Sequence, residues 1–410
     1  MISSQKLGER IGSARKKANL VQADLASKLG VARTTLVAME KGERRPSNTQ
    51  LIRLAGLLSI SVHDLLREHA VTGDVSPRFR MTAPTADAAE ADTAVARLKA
   101  LGAKYAEVEQ LLGTSRIPAP LESVEAYRLD RAGAGWTSGS GNAMRLLGQD
   151  AARTVRNALD LGDGPALELD RQLELQAGLR IFHLSMPNAI AAMLIWSDEL
   201  GACVAINRGH PLERRRWSLA HETAHFLRDR EAGDVLPLQQ QRRADPAEVF
   251  AESFAREFLM PSGAIARRFS EHVRASGRFT IADILWMAHL YQVSFQAMTL
   301  RLEDLGLLPS GTYEGLAEKK FRPSEASESL GLRASALERP AELPDRFVTL
   351  AIQAYEKELI SESEFATYLD VDRITARHIF LNRRQSPVED GMMVELDLGR
   401  EFVTQAGHEP

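Results

Sequence analysis

Two histidines lie four residues apart in the stretch RRRWSLAHETAHFL, residues 214–227, and a glutamate follows the first of them. A helix turns by about 100° per residue, so His221 and His225 project from one face of it. Both imidazoles can then reach a single divalent ion, and Glu222 can hold a water molecule beside that ion. The alternative is a pair of structural histidines at the edge of a core. The metal interpretation predicts a helix that is half buried.

The apolar residues of this helix define the arc that it buries. Both histidines fall at the margin of that arc, and Glu222 is displaced to one side of it. A half-buried metal cleft requires its ligands at such a margin. The arc consists of Trp217, Leu219, Ala220, Thr223, Ala224 and Leu227.

A catalytic zinc site uses three protein ligands and keeps an open position, so a third ligand is expected downstream. The stretch AEVFAESFAREFLMP, residues 247–261, is typical of a helix with Phe250, Phe254 and Phe258 on its packed face. Glu248 lies at the end of that face, where a carboxylate requires a partner. We interpret Glu248 as the third ligand and Glu252, one turn later, as a hydrogen-bond partner that orients a ligating histidine. Exchanged roles, or two ordinary solvated glutamates, are the alternatives.

Charge is distributed unevenly along the 410 residues. Residues 1–70 contain 12 lysines and arginines against 6 acidic residues, whereas the whole chain has a formal net charge of −4. A basic N-terminal segment followed by an acidic remainder is typical of a nucleic-acid-binding module fused to another domain. Residues 1–70 also predict short helices, two of which end at Gly30 and Gly42, as in a compact all-α domain with a helix-turn-helix.

The rest of the chain predicts a multidomain α+β protein. Residues 71–92 are interpreted as a linker, and a connecting helix over 94–112 is predicted to pack on the next domain rather than to form a dimer seam. Residues 93–310 combine helices with a small sheet, and residues 311–410 are mostly helical with no assigned role. The strands are predicted in LRIFHLSMP, AAMLIW and CVAIN, of which we interpret CVAIN as an edge strand that can bind an extended substrate, leaving Asn207 at its end.

Composition excludes several classes of protein. The longest apolar run, AIAAMLIW, is far shorter than the roughly 20 residues of a membrane span, and the N-terminus lacks the apolar core of a signal peptide. Cys203 is the only cysteine, so no disulfide can form within the chain, and we interpret it as a small core residue. These observations favour a cytoplasmic protein without membrane attachment.

The stretches VAINRGHPLERRRWSLAHETAHFL and EVFAESFAREFLMP together resemble the ImmA/IrrE family of metallopeptidases, over roughly residues 94–308. The resemblance implies a gluzincin-like zinc endopeptidase, with His221, His225 and Glu248 as ligands and Glu222 as the general base. Manganese could replace zinc, because two imidazoles and a carboxylate accept either ion. The chain departs from the family at Glu252, where Asn or Asp is usual. His289, Tyr291 and Arg301 are candidates for stabilising the transition state, and none is assigned.

Residues 7–66 resemble the XRE/Cro-like helix-turn-helix family, and Gln22 matches the glutamine that begins its second helix. The resemblance implies a double-stranded DNA operator and a homodimer on paired half-sites. Val21 and Ala32 stand where Ser or Thr usually caps the second and third helices. A docking module for another protein is the alternative. The DNA contacts implied are Arg33, Thr34, Thr35 and Ala38 at base edges, and Gln22, Lys41, Arg44 and Arg45 at phosphates.

Both resemblances together imply a transcriptional regulator whose peptidase cleaves a repressor or its own chain in a stress response. DNA damage or single-stranded DNA would be the signal. The alternative is a transcription factor that uses a catalytically silent domain as a metal or metabolite sensor, and a third interpretation is an antitoxin-like autorepressor. The intact Glu222 favours the peptidase, because a purely structural zinc site does not require a carboxylate that holds water.

Overall fold

The computed structural model describes residues 3–17, 20–58, 78–81, 88–114, 141–197, 199–229, 246–332 and 340–384. Three predicted segments lie partly outside these residues. They are the end of the helix-turn-helix domain and most of the linker, at 59–77 and 82–87, and the end of the C-terminal region, at 385–410. The chain divides into two compact units, Met1–Leu350 and Ala351–Pro410. None of the helices in the described ranges has an apolar stretch of the length that crossing a membrane requires.

The N-terminal helices confirm the predicted all-α domain. Its described residues form the helices α1 (Ser4–Lys17), α2 (Gln22–Leu29), α3 (Arg33–Glu40) and α4 (Asn48–Leu58). Neither α2 nor α3 has a side-chain cap, as Val21 and Ala32 predict. The domain compensates by packing, since leucines from all four helices are buried in one core. These leucines are Leu7, Leu25, Leu29, Leu36, Leu51, Leu54 and Leu58.

The central region is built on a four-stranded sheet of order β1-β3-β4-β2. β2 is parallel to β4, and β3 is antiparallel to both β4 and β1. Among the described residues, β1 is the strand that the sequence did not predict, and it falls in the segment interpreted as a linker. The strands are β1 (Arg78–Met81), β2 (Arg180–Leu184), β3 (Ile190–Ser197) and β4 (Gly201–Asn207).

The strand order corrects one prediction. CVAIN belongs to β4, which lies between β3 and β2 and is therefore a central strand rather than an edge strand. Both of its hydrogen-bonding edges are used within the sheet, so it has no free edge for an added substrate strand. The sequence could not show this, because a buried run of apolar residues is the same in a central strand and in a covered edge strand.

Helices cover both faces of the sheet. The long helix α5 (Ala88–Leu112) packs on one face, where a Cβ atom on Gly102 would lie 2.7 Å from the Cys203 Sγ. Cys203 is fully buried there, as expected of a small core residue. Four helices pack on the other face and form one hydrophobic core with the sheet. They are α6 (Gly141–Ala158), α7 (Leu169–Ala177), α8 (Leu212–Asp229) and α9 (Pro246–Leu259). The connecting helix thus packs on the central domain, as predicted, and begins at Ala88.

The remaining helices confirm a mostly helical C-terminal region within the described residues. α10 to α12 complete the central core, and a turn separates α15 from α16. The helices are α10 (Ser262–Ser276), α11 (Ile281–Tyr291), α12 (Phe295–Asp304), α13 (Thr312–Glu318), α14 (Pro323–Ser329), α15 (Asp345–Glu356), α16 (Glu362–Leu369) and α17 (Arg373–Arg384).

A buried ionic network joins α5 to elements that are distant in sequence. The Glu109 carboxylate accepts hydrogen bonds from Arg180 of β2, at 2.5 Å, and from Arg346 of α15. Arg346 also donates to the Tyr105 hydroxyl at 2.9 Å, and Tyr105 donates to Glu174 of α7 at 3.4 Å. Each charge has a partner in the network, which is the condition under which such groups can be buried. The network ties α5, α7 and β2 to the segment that begins α15.

The network predicts a pH dependence of stability through Glu174. Burial raises the pKa of its carboxyl from 4.5 to about 7, and hydrogen bonds from the Arg346 backbone and Tyr105 only partly oppose that shift. The unfolded chain therefore releases this proton first, so the contribution of Glu174 to the free energy of unfolding falls as pH rises from 4.5 to about 7. The free energy of unfolding of the wild type should therefore fall by about 3 kcal/mol across that window. We expect Glu174→Gln to abolish this fall.

Urea unfolding of the full chain at pH 5 and at pH 7.5 measures this effect. Glu318→Gln, at an exposed glutamate, is the matched control and is expected to leave the pH dependence unchanged. An equal pH dependence in the wild type and in Glu174→Gln would show that Glu174 ionises normally in the folded chain.

Candidate functional site

Helix α8 carries both histidines of the candidate site into the core. Leu219, Ala220 and Ala224 are fully buried on the face that packs against the sheet and α9. His221 is itself completely buried, and His225 is 9% exposed. The sequence predicted both histidines at the margin of the buried arc. The greater burial arises because α9 packs against this face of α8, which the period of a single helix does not reveal.

Helix α9 brings Glu248 to the two histidines. α6 and α9 approach closely enough that a Cβ atom on Gly148 would lie 2.5 Å from the Phe250 carbonyl oxygen, so a side chain there would push α9 away. The Glu248 Oε2 lies 3.4 Å from the His221 Nε2, and its Oε1 lies 3.3 Å from the His225 Nε2. The two Nε2 atoms are 3.0 Å apart. Three ligand atoms on two helices thus converge within 4.8 Å of one another.

These separations fit a tetrahedral zinc ion. Zn–N and Zn–O bonds of about 2.0–2.2 Å place tetrahedral ligand atoms roughly 3.3–3.5 Å apart. The two distances to Glu248 lie in that range, and the separation of 3.0 Å between the histidine nitrogens is only slightly shorter. Two imidazoles and one carboxylate also form the donor set of a catalytic zinc site with an open fourth position.

The charge of Glu248 suits a metal ligand. Burial opposes ionisation of its carboxyl, but hydrogen bonds and charge from His221 and His225 outweigh burial and hold its pKa well below the usual range. The carboxylate is therefore ionised at neutral pH, as metal coordination requires. Glu248 carries this negative charge with its side chain only 16% exposed, beside two buried imidazoles.

Two further glutamates flank the cluster. Glu222 is 2% exposed and follows His221 directly on α8. The Glu252 Oε1 lies 3.8 Å from the His221 Nδ1, which is the ring nitrogen that faces away from the cluster. This separation exceeds that of a hydrogen bond, so the orienting role of Glu252 stays a prediction. Because Glu248 rather than Glu252 approaches both Nε2 atoms, the distances favour the original assignment over exchanged roles.

Asn207 has a structural role that the sequence did not indicate. Its Nδ2 donates to the carbonyl oxygens of Met186, Pro187 and Ile190 at 2.8–3.0 Å, and its Oδ1 accepts from the Gly209 N–H at 3.0 Å. The side chain therefore shapes the connection between β2 and β3, which leaves it no free group for a substrate backbone.

The candidates for stabilising the transition state have other partners or are exposed. Arg301 donates to the Glu257 carboxylate and to the Met260 carbonyl oxygen, and the Tyr291 hydroxyl accepts from Arg268 at 3.1 Å. His289 is exposed on α11. Both interactions of Arg301 stabilise the end of α9, so this residue supports the helix that carries Glu248.

Among the predicted DNA-contacting residues, Gln22 is held by contacts within the helix-turn-helix. Its Nε2 donates to the Glu40 Oε2 at 2.8 Å, and Arg15 binds the same carboxylate at 2.6 Å. Gln22 therefore ties α2 to α3. The residues that are exposed are Arg33, Thr34, Lys41, Arg44 and Arg45, whereas Thr35 and Ala38 are partly buried.

Two family models match the chain, each in the region of one candidate site. A helix-turn-helix model matches residues 11–65, and the model of the IrrE N-terminal-like domain, a peptidase M78 domain, matches residues 175–303. Among known proteins, an uncharacterized HTH-type transcriptional regulator of Methanocaldococcus jannaschii is 43% identical over 47 residues, which are 12% of this chain and 71% of that protein. The chain belongs to the XRE-type helix-turn-helix family. It also carries an IrrE N-terminal-like domain.

Two relatives from phages extend the comparison of this helix-turn-helix chain. The ImmF control region 10 kDa protein of Bacillus phage phi105 is 37% identical over 65 residues, 16% of this chain and 72% of that protein. The cryptic phage CTXphi transcriptional repressor RstR of Vibrio cholerae is 35% identical over 60 residues, 15% of this chain and 54% of that protein. The residues His221, Glu222, His225, Glu248 and Glu252 all lie within the IrrE N-terminal-like match.

Proposed function

We propose that this chain is a DNA-binding transcriptional regulator whose IrrE N-terminal-like domain is a zinc-dependent endopeptidase. The convergence of His221, His225 and Glu248 beside the buried Glu222 supports this proposal most directly. A structural zinc site commonly has four protein ligands, whereas this cluster combines three ligands with an adjacent carboxylate. That combination supports a hydrolytic site over a structural one.

Each residue of the cluster would have its own role in peptide hydrolysis. His221, His225 and Glu248 would hold the ion. When bound, Zn²⁺ lowers the pKa of a water molecule and polarises the carbonyl of the scissile peptide. Glu222 accepts a proton from the attacking water, and the C–N bond breaks as the leaving amine takes up a proton from Glu222. Glu252 would hold the His221 ring in position through its Nδ1.

The helix-turn-helix would bring the peptidase to operator DNA. Arg33 and Thr34 would reach base edges of a double-stranded DNA operator, while Lys41, Arg44 and Arg45 bind phosphates. We propose a homodimer on paired half-sites, as is usual for helix-turn-helix readers of this kind. The substrate would be a repressor or the chain itself.

A comparison of protein N-termini in host cells tests this proposal. Cells carrying the wild type, Glu222→Gln or the control Glu213→Gln are grown with and without DNA damage. We expect a new N-terminus, in a regulatory protein or in this chain, with the wild type and with Glu213→Gln but not with Glu222→Gln. If purified single-stranded DNA is the activator, adding it to the purified chain and its substrate produces the same N-terminus.

Identical N-termini in all three strains, with operator binding intact, would contradict the peptidase and favour a metal or metabolite sensor. Glu213 is the appropriate control because it lies in the first turn of α8, outside the cluster. Its substitution removes one carboxylate from the same helix without touching the three ligands.

A further inference from the structure

Helices α16 and α17 repeat the local structure of α2 and α3. The first helix of each pair has eight residues, and three residues connect it to the second. The turn begins with a residue in the left-handed conformation, Gly30 with φ 75° and Asp370 with φ 57°. Few residues other than glycine adopt this conformation, and aspartate is among those that tolerate it.

The hydrogen bonds of the two turns also correspond. In each turn the first two N–H groups donate to carbonyl oxygens of the preceding helix, at the same sequence offsets and at 3.0–3.3 Å. The donors and acceptors are Gly30 to Ser27, Val31 to Ala26, Asp370 to Thr367 and Val371 to Ala366. The backbone therefore leaves α16 as it leaves α2.

The sequences agree at a constant offset of 340 positions. Ala, Leu, Val, Arg and Thr are identical at five positions of the two segments. Leu25, Ala26, Leu29 and Leu36 are buried, and so are their counterparts Phe365, Ala366, Leu369 and Ala376. The identical pairs are Ala26 and Ala366, Leu29 and Leu369, Val31 and Val371, Arg33 and Arg373, and Thr35 and Thr375. The similarity is not evident from the sequence alone, because the turn has Asp370 in place of the glycine that usually marks it.

The C-terminal pair has the helix caps that the N-terminal pair lacks. Ser361 and Glu364 form a capping box at the start of α16. The Asp372 carboxylate accepts from the N–H groups of Ile374 and Thr375 at 2.9 and 3.0 Å, at the start of α17. Each cap gives a partner to N–H groups that the first turn of its helix would otherwise leave unbonded. The two caps therefore fix the residues at which α16 and α17 begin.

A core of aromatic side chains supports these two helices. Tyr355 of α15 stacks on Phe365 of α16, with ring centroids 5.0 Å apart, and meets Phe380 of α17 edge-on at 5.3 Å. Ala376 of α17 is fully buried. The inner face of α17 is thus occupied by packing, which leaves its outer face for contacts with another molecule.

The outer face of α17 is basic. The helix RITARHIFLNRR contains four arginines, one histidine and no acidic residue. Arg373, Ile374, Thr375, Arg377 and His378 are exposed. The acidic Glu362 on α16 is paired with Arg377, with Nε and Oε1 2.5 Å apart, so its charge is compensated. A basic helix that follows such a turn matches the charge and the width of the DNA major groove.

We propose that α16 and α17 form a second helix-turn-helix, which binds duplex DNA through the outer face of α17. Arg373 occupies the position that Arg33 has in the first helix-turn-helix, at the start of the second helix. Ile374, 69% exposed, is placed to contact a thymine methyl group or sugar. The chain would then read two DNA elements with one polypeptide. This binding requires neither the metal nor peptidase activity.

A selection from random-sequence duplex DNA tests the second site in the full chain. The selection uses the Arg33→Glu chain, which weakens the first helix-turn-helix, in a metal-free buffer. We expect this chain still to enrich a sequence motif. Adding Arg373→Glu should weaken binding to that motif by about 10-fold or more and lower the slope of log K against log salt by about 1.

Two further variants make the result specific. Arg274→Glu, at an exposed arginine of α10, makes the same change of charge outside both helix-turn-helix motifs and should leave binding to the motif unchanged. Ile374→Glu should weaken binding as Arg373→Glu does, and it removes a side chain that makes little contact with the fold. Circular dichroism of each variant, with the melting temperature, verifies folding.

Two outcomes would overturn the proposal. Either the Arg33→Glu chain enriches no motif, or folded Arg373→Glu and Ile374→Glu variants both bind the motif as tightly as their parent. The second result would indicate that α17 docks another protein or serves only to pack its unit.

Discussion

The Glu222→Gln chain is expected to bind zinc normally and to cleave its substrate about 10³-fold more slowly than the wild type. General acid–base catalysis contributes about 10²–10⁴-fold, and an amide cannot take the proton from water. The amide fills the same volume at a side chain that is 2% exposed, so packing around His221 should be preserved. The rate is measured with the purified full chain and the substrate found by its new N-terminus.

Glu213→Gln is the control, with an unchanged rate expected. Zinc content and operator affinity are measured in parallel, because a loss of either would indicate misfolding rather than a missing base. A Glu222→Gln chain that cleaves at the wild-type rate would show that another group accepts the proton from water.

The second large effect concerns the metal itself. Replacing His221, His225 or Glu248 with alanine leaves two of the three ligands and opens a cavity between α8 and α9. We expect the wild type to retain zinc after dialysis and each of these variants to lose it. Glu252→Gln should weaken zinc binding only about 10–100-fold, since this carboxylate acts through the His221 ring rather than on the ion. Elemental analysis gives the metal content, and titration with a competing chelator gives the affinity.

DNA binding is the control for this series, because the helix-turn-helix has its own core. An unchanged melting temperature without metal would further show that the ligands were removed from a folded chain. Stoichiometric zinc in both His225→Ala and Glu248→Ala would contradict the proposed ligand set.

Local physics determined the features that the sequence predicted correctly. The spacing of His221 and His225 fixes their common face, because one helical turn separates them. The all-α N-terminal domain, the strands of the sheet and the helix bearing Glu248 and Glu252 follow from periodicity within short segments. Each of these inferences depends on residues a few positions apart, where the backbone alone sets the geometry.

Only the tertiary structure decided how distant segments meet. Glu248 is separated from His225 by more than twenty residues, so its approach to both Nε2 atoms depends on the packing of α9 against α6 and α8. The central position of β4 arises from a parallel pairing with β2, and the partners of Glu109 lie 71 and 237 residues away. Such contacts depend on which apolar faces bury one another across the whole chain, and no local pattern specifies that choice.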